Sequence, residues 1–155
     1  MKDKIIDWLT GPLPGRDAHS QLWSYPRNTV EEGLAMVPPP RQSAVLMLLR
    51  QRADLELLYI VRSDFGIHGG QVAFPGGKLD THETHLECAM RETEEELGIP
   101  RHQYEMMGTL SPVFIPPSHM IVYPHLAWVE DEFHLTPNQE IADVFGVPIS
   151  QVMPQ

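Results

Sequence analysis

An α+β domain built on a mixed β-sheet is what this sequence predicts, and three observations carry the prediction. Two apolar runs of strand length, residues 44–49 and 57–61, are separated by a polar stretch. A segment free of proline and glycine follows over residues 83–97, with apolar residues at helical spacing and Gly98 where a left-handed C-terminal cap belongs. Two further strand-like runs, residues 106–110 and 120–128, come after it. The order strand, strand, helix, strand, strand fits a layered mixed sheet better than a regular βαβ array.

Taken in order, residues 1–40 read as an irregular N-terminal extension. A short amphipathic segment at residues 3–9 is followed by Gly11, Pro12, Pro14 and Gly15, and later by Pro38, Pro39 and Pro40, which favour turns and extended backbone. Residues 44–49 and 57–61 then form a hairpin around the polar stretch 50–56. Residues 71–74 read as a short strand running into Pro75-Gly76-Gly77, where two glycines allow close backbone approaches. Beyond the helix, a Pro116-Pro117 loop separates the next two strands, Tyr104 is ambiguous, and residues 140–147 are either a strand or a short helix.

The chain's 155 residues, 42% of them hydrophobic, suffice for one domain with a real core, and a single domain over 1–155 is expected. Past Pro148 another element opens, so the natural chain is expected to extend or to have been trimmed there. A net charge of -10, from 11 Lys and Arg against 21 Asp and Glu, argues against nucleic acid as a partner, since phosphate neutralisation needs clustered cations. A small phosphorylated substrate remains compatible if a divalent cation masks the local carboxylates. The apolar cluster Ile5, Ile6, Trp8 and Leu9 is too short for a signal core or a membrane span, and the single cysteine, Cys88, makes an intramolecular disulfide impossible. A cytoplasmic protein without a membrane partner is the expectation.

The helix concentrates the chemistry. With about 100° of rotation per residue, Glu92, Glu95 and Glu96 fall on one face, while Leu86, Ala89, Met90, Thr93 and Leu97 occupy the adjoining arc and bury it against the sheet. Glu94 points away. Like charges at this spacing cost a helix roughly 0.2–0.5 kcal/mol per pair, so the trio needs a compensating partner. A hard divalent cation such as Mg²⁺ is one, since it prefers oxygen ligands and bridges carboxylates to phosphates; a merely solvated acidic face is the plain alternative.

Context decides between them. Gly77, five residues, Glu83, seven residues, then Arg91-Glu92-Thr93-Glu94-Glu95-Glu96-Leu97-Gly98-Ile99 resembles the Nudix box, G-x5-E-x7-R-E-U-x-E-E-x-G-U with U a bulky apolar residue. Every fixed position matches, and the one departure is Thr93 at an apolar site, where a helical hydroxyl bonds back to a preceding carbonyl. The resemblance implies a Nudix fold, a mixed sheet sandwiched between helices, and hydrolysis of a nucleoside diphosphate linked to another moiety. Glu92, Glu95 and Glu96 are then the implied ligands of Mg²⁺ or Mn²⁺, with the Gly77 carbonyl as a further ligand. Arg91 orients the glutamates and Glu83 supports the loop–helix junction. Glu92 is one candidate base and Glu140 another; Glu92, Glu96, Arg91 and Glu140 are the implied catalytic set.

Upstream, residues 57–63 followed by residues 70–77 are similar to the extra signature of the coenzyme A pyrophosphatase branch, and residues 110–118 also resemble it. That implies cleavage of coenzyme A to 3′,5′-ADP and 4′-phosphopantetheine, with Arg62, His68, Phe74 and Gly76 toward the substrate. One departure matters. The branch places a second basic residue between its Arg-Ser and the glycine run, whereas Asp64-Phe65-Gly66-Ile67-His68-Gly69 is one residue shorter and lacks the arginine.

A Nudix hydrolase of ADP-ribose, a dinucleotide or an NTP is therefore the alternative, and a non-catalytic nucleotide-binding Nudix domain a third. His82, His85 and Cys88 are spaced like a zinc run but lie inside the box and lack a fourth ligand. Trp8, Trp23 and Trp128 read as packing residues. Many relatives pair, and the irregular first 40 residues could serve a homodimer interface, but the sequence itself does not show one.

Overall fold

The structure, a computed structural model, describes residues 1–21, 27–64, 69–130 and 133–152. Three short helices come first: α1 (Lys2–Leu9), α2 (Gly15–Gln21) and α3 (Val30–Leu34). The extension expected to be irregular is thus partly helical. Among the described residues its prolines fall outside the helices, and Thr29 starts α3 with a capping box to Glu32. Two long strands, β1 (Arg41–Gln51) and β2 (Leu55–Arg62), form the anticipated hairpin. Two short ones follow, β3 (Val72–Ala73) and β4 (Gly76–Lys78), then helix α4 (His85–Leu97). The second half contains β5 (Tyr104–Thr109), β6 (Val113–Ile115), β7 (Met120–Val129), β8 (Ile141–Pro148) and a last short helix, α5 (Ile149–Val152). The segment 140–147, left open between strand and helix, is strand from Ile141 onward.

All eight strands join one sheet in the path β3-β2-β1-β7-β5, with β4 on β1, β6 on β7 and β8 on β2. β1 runs parallel to β7 from Arg41 beside Met120 to Arg50 beside Val129, whereas every other pairing is antiparallel, so the sheet is mixed. Strand alternation gives the sheet two apolar faces. Ala44, Leu46, Leu48, Leu58, Ile60, Ala127 and Val129 pack on one face with Ala89 and Leu97 of α4. Leu49, Leu57, Leu126 and Trp128 pack on the other with Ile5, Ile6 and Leu9 of α1. Trp8 of that helix, expected to pack, is instead 59% exposed, because the apolar stripe of α1 is carried by its neighbours. Trp23 lies outside the described residues. Among the described residues no helix is long and apolar enough to cross a membrane.

One edge of β1 is shared, and that sharing makes the site. Its C-terminal end pairs with β2 and its N-terminal end with β4, so the two neighbours diverge. The Pro75 carbonyl accepts from the Leu46 N–H where they part. This brings the Gly76–Gly77 backbone beneath α4.

Helix α4 is closed at both ends. Thr84 caps the start in a capping box with Glu87, two residues later than the helix onset read from the sequence. At the far end Gly98 adopts φ 67°, and its N–H bonds the Glu94 carbonyl. The loop entering β8 takes the rest: Thr136 N–H donates to the Leu97 carbonyl, Asn138 N–H to that of Glu96, and Asn138 Nδ2 to that of Glu95. All four terminal carbonyls, normally left to solvent, are satisfied. A Cβ at Gly98 would need left-handed backbone and would overlap the Thr136 hydroxyl. Gly98→Ala is therefore expected to destabilise the fold by about 1–3 kcal/mol, read as a lower urea midpoint with unchanged slope. An unaltered midpoint would show that neither strain nor the Thr136 contact matters.

Candidate active site

Three glutamates of the box, Glu83, Glu92 and Glu95, converge on one guanidinium. Arg91 donates from Nε and Nη2 to Glu83, at 3.1 and 2.9 Å, in a two-point fork. Its Nη1 reaches Glu92 Oε1 at 3.0 Å and Glu95 Oε2 at 3.1 Å. The fork holds the Glu83 carboxyl down at about 2, with a further bond from the Asp80 N–H. Arg91 is correspondingly held in its charged form.

Glu96 sits deeper, only 3% exposed. Its Oε2 accepts from the Gly76 N–H at 2.9 Å and its Oε1 from Arg62 Nη1 at 3.1 Å. Desolvation pushes its carboxyl up to about 7, against the pull of the Gly76 N–H and Arg62 and with help from the Glu92 charge. Burial also raises Glu92, with Arg91 opposing and Glu95 adding to the rise. The Glu92 carboxylate lies directly over Gly77, where a Cβ would overlap it, so only glycine admits this approach. Glu95 is the exposed member of the trio and Glu94 faces solvent. Thr93, the departure from the apolar position, is fully buried and donates to the Ala89 carbonyl at 2.7 Å, which removes the cost of its hydroxyl.

The remaining sequence candidates fall as follows. Arg62 bridges Glu96 and Glu140, its Nη2 lying 3.1 Å from Glu140 Oε2. Phe74 stacks on Tyr59 with ring centroids 4.7 Å apart and joins the cluster on the α1 face, away from the carboxylates. Gly76 contributes its N–H to Glu96. The Gly77 carbonyl takes a long thiol contact from Cys88 at 3.6 Å. His68 lies outside the described residues. His85 stacks on Tyr123 and meets Gln42, so it and Cys88 turn to different partners. Sequence reasoning missed Asn138, whose two contacts with the helix end depend on a loop more than forty positions downstream.

The glutamates share a face as anticipated, yet they do not gather around one point. Among the described residues, no three acidic, histidine or cysteine side chains stand close enough to hold a metal ion. Arg91 draws Glu92 and Glu95 to its own Nη1, while Arg62 and Gly76 hold Glu96. The chemistry of the donors still fits a hard divalent cation: they are all oxygen, and burial penalises the charges of Glu92 and Glu96, a cost such a cation would offset. Glu92, Glu95 and Glu96, with the Gly77 carbonyl, would be the donors available to such an ion.

A model of the NUDIX domain matches residues 40–155. Among curated proteins, the chain is 37% identical over 121 residues to an uncharacterized Nudix hydrolase NudL of Citrobacter koseri, and 36% identical to its Salmonella paratyphi B counterpart. Each alignment covers 73% of this chain but only 60% of the relative's length. Among solved structures, a Nudix hydrolase from M. smegmatis, RenU, aligns with a TM-score of 0.63 and 27% identity over 73% of both chains. The NUDIX domain of Shewanella oneidensis NrtR, complexed with ADP ribose, aligns at 0.56 and 18% identity, covering 82% of this chain and 89% of that one. With the box intact on α4, the mixed sheet beneath it and a family match over three-quarters of its length, this chain belongs to the NUDIX domain family.

Proposed function

We propose that the chain is a divalent-metal-dependent pyrophosphohydrolase whose substrate is a nucleoside diphosphate derivative, with coenzyme A as the foremost candidate. The observation that carries the reading is Glu96, a buried carboxylate fixed by the Gly76 N–H beside the half-buried Glu92. Both acids sit in a place that penalises their charge, a cost a purely structural helix has no reason to bear. Glu92, Glu95 and Glu96 would hold Mg²⁺ or Mn²⁺. When bound, such a cation supplies Lewis acidity toward water and toward the pyrophosphate oxygens.

The chain's own residues do the rest. Water attacks one phosphorus, the P–O bond of the bridge breaks, and the second phosphate leaves with the bridging oxygen. The proton released by the attacking water goes to a carboxylate. Glu92, with its proton affinity raised by burial, suits that task better than Glu140, which is 64% exposed and already paired with Arg62. Arg91 is the positioning group, because its fork to Glu83 fixes the Nη1 that Glu92 and Glu95 share.

Coenzyme A is supported by the resemblance around Arg62 and the Gly76–Gly77 turn. A different pyrophosphate substrate is favoured by the state of Arg62 itself: both its Nη atoms are engaged by carboxylates, and the second basic residue of that signature is missing. ADP-ribose and dinucleotides are the members of that class to try, since ADP ribose is bound by the NrtR relative in fold and an Ap4A hydrolase of C. elegans shares the fold at a TM-score of 0.62 and 21% identity.

A panel of coenzyme A, its oxidised and acylated forms, ADP-ribose, Ap4A and dNTPs, assayed with Mg²⁺ and Mn²⁺, should yield phosphate-ester products from at least one compound. Glu96→Gln should lower that rate by about 100-fold or more, the lower bound of what a positioned acid–base or charge-stabilising group contributes. Turnover of none of them by the wild type would favour a binding domain. The Glu83 fork gives a separate, substrate-free expectation. Its pKa is depressed to about 2, so the stability it lends is complete above the ordinary carboxylate range and disappears as pH falls toward 2. The thermal midpoint of Glu83→Gln should lie below that of the wild type near neutrality, with the difference closing as pH falls through that window. A gap independent of pH would mean the ion pair is not what stabilises this corner.

A further inference from the structure

Arg62 is shared between two carboxylates in very different surroundings. The Glu96 side chain is 4% exposed and that of Glu140 is 64% exposed, yet each accepts from one Nη at 3.1 Å. The other Glu96 oxygen already accepts from the Gly76 N–H, so the oxygen with no backbone partner is the one facing the guanidinium. Two positive charges cannot share that oxygen in a pocket so poor in solvent without strong repulsion.

We propose that Arg62 is a latch on Glu96: a divalent cation takes Glu96 by displacing the guanidinium, and Glu140 keeps the displaced arginine. The proposal rests on the metal-dependent reading above and assigns Glu140 to positioning Arg62 rather than to proton transfer. Several features build the receiving side. A bulge where β2 meets β8 shifts the register between Val61 beside Asp143 and Arg62 beside Ile141, re-aiming Arg62. The residue after the arginine ties the opposing loop down: Ser63 N–H donates to the Glu140 carbonyl at 2.8 Å and Ser63 Oγ to the Gln139 carbonyl at 2.9 Å. Glu140 N–H donates in turn to Asn138 Oδ1, and Asn138 is the residue that grips the helix end at Glu95 and Glu96. Glu140 thus stays within reach of Arg62 whether or not Glu96 holds it.

Mn²⁺ affinity, measured without substrate by electron paramagnetic resonance of free Mn²⁺ near physiological salt, tests this directly. Arg62→Gln should tighten Mn²⁺ binding about tenfold or more, the equivalent of a charge-assisted bond no longer in competition. Glu140→Gln should weaken it, up to about fivefold, because the arginine then has Glu96 alone. In the Arg62→Gln background, Glu140→Gln should have no effect. Arg62→Lys, which keeps the charge but not the fork, should tighten binding less, and it serves as the test variant if Arg62→Gln does not fold. Additive effects of the two substitutions would reveal simple through-space electrostatics and overturn the latch. Unchanged or weaker binding in Arg62→Gln would overturn it too, while Mn²⁺ binding by the wild type leaves the metal reading standing. If neither wild type nor variants bind Mn²⁺, both readings fall.

Discussion

Crowded like charge is the constraint around which this structure is arranged. Five carboxylates, Glu83, Glu92, Glu95, Glu96 and Glu140, are served by two guanidiniums, Arg91 and Arg62. Two unit charges about 4 Å apart interact by about 4 kcal/mol at the effective dielectric of a protein surface, so no helix would hold this set without internal compensation. Arg91 spends four contacts on three of the acids and Arg62 divides itself between the other two. A gradient results: the Arg91 fork holds the Glu83 carboxyl low, whereas burial pushes the Glu96 carboxyl up. Environment, not residue type, separates their roles.

That gradient is produced by the sheet. Because β1 gives one half of its edge to β2 and the other to β4, the chain between them turns inward under α4 and delivers a backbone N–H to Glu96. The same turn places Gly77 where Glu92 must pass. Burial of α4 against Ala44, Leu46 and Ala127 then fixes how deep Glu96 sits, and the loop holding Thr136 and Asn138 fixes the height of the last turn. Packing, register and capping all act on one carboxylate.

How much of this was legible in the sequence depended on range. The hairpin of β1 and β2, the helix with its Gly98 stop, and the strand at β7 were readable because each is announced by local periodicity and its punctuation. The common face of Glu92, Glu95 and Glu96 followed from helical geometry alone. Strands β4 and β6 were not seen, since three residues show no alternation and their pairing is decided by a partner elsewhere. The helices of the first 40 residues were obscured by prolines that, among the described residues, lie outside them. Arg62, Asn138 and Glu140 were unreadable in their observed partnerships for the same reason: the contacts join residues 34 to 78 positions apart. Convergence around one cation was the expectation most altered by the fold, because arginines invisible at the helical scale supply the counter-charges.

The excess of acid over base bears on how an anionic substrate can enter. A pyrophosphate approaching five carboxylates and two guanidiniums meets net repulsion, on a chain already at -10 overall. On the proposed reading, a cation held by the glutamates would reverse the sign where the phosphates bind, so cation and substrate would favour each other's binding by the same factor. The arginines cannot substitute for it, because each is already consumed by acids. An acidic protein with this arrangement would therefore gain selectivity along with charge balance: anions without a divalent partner would be turned away by the same field that would hold the metal.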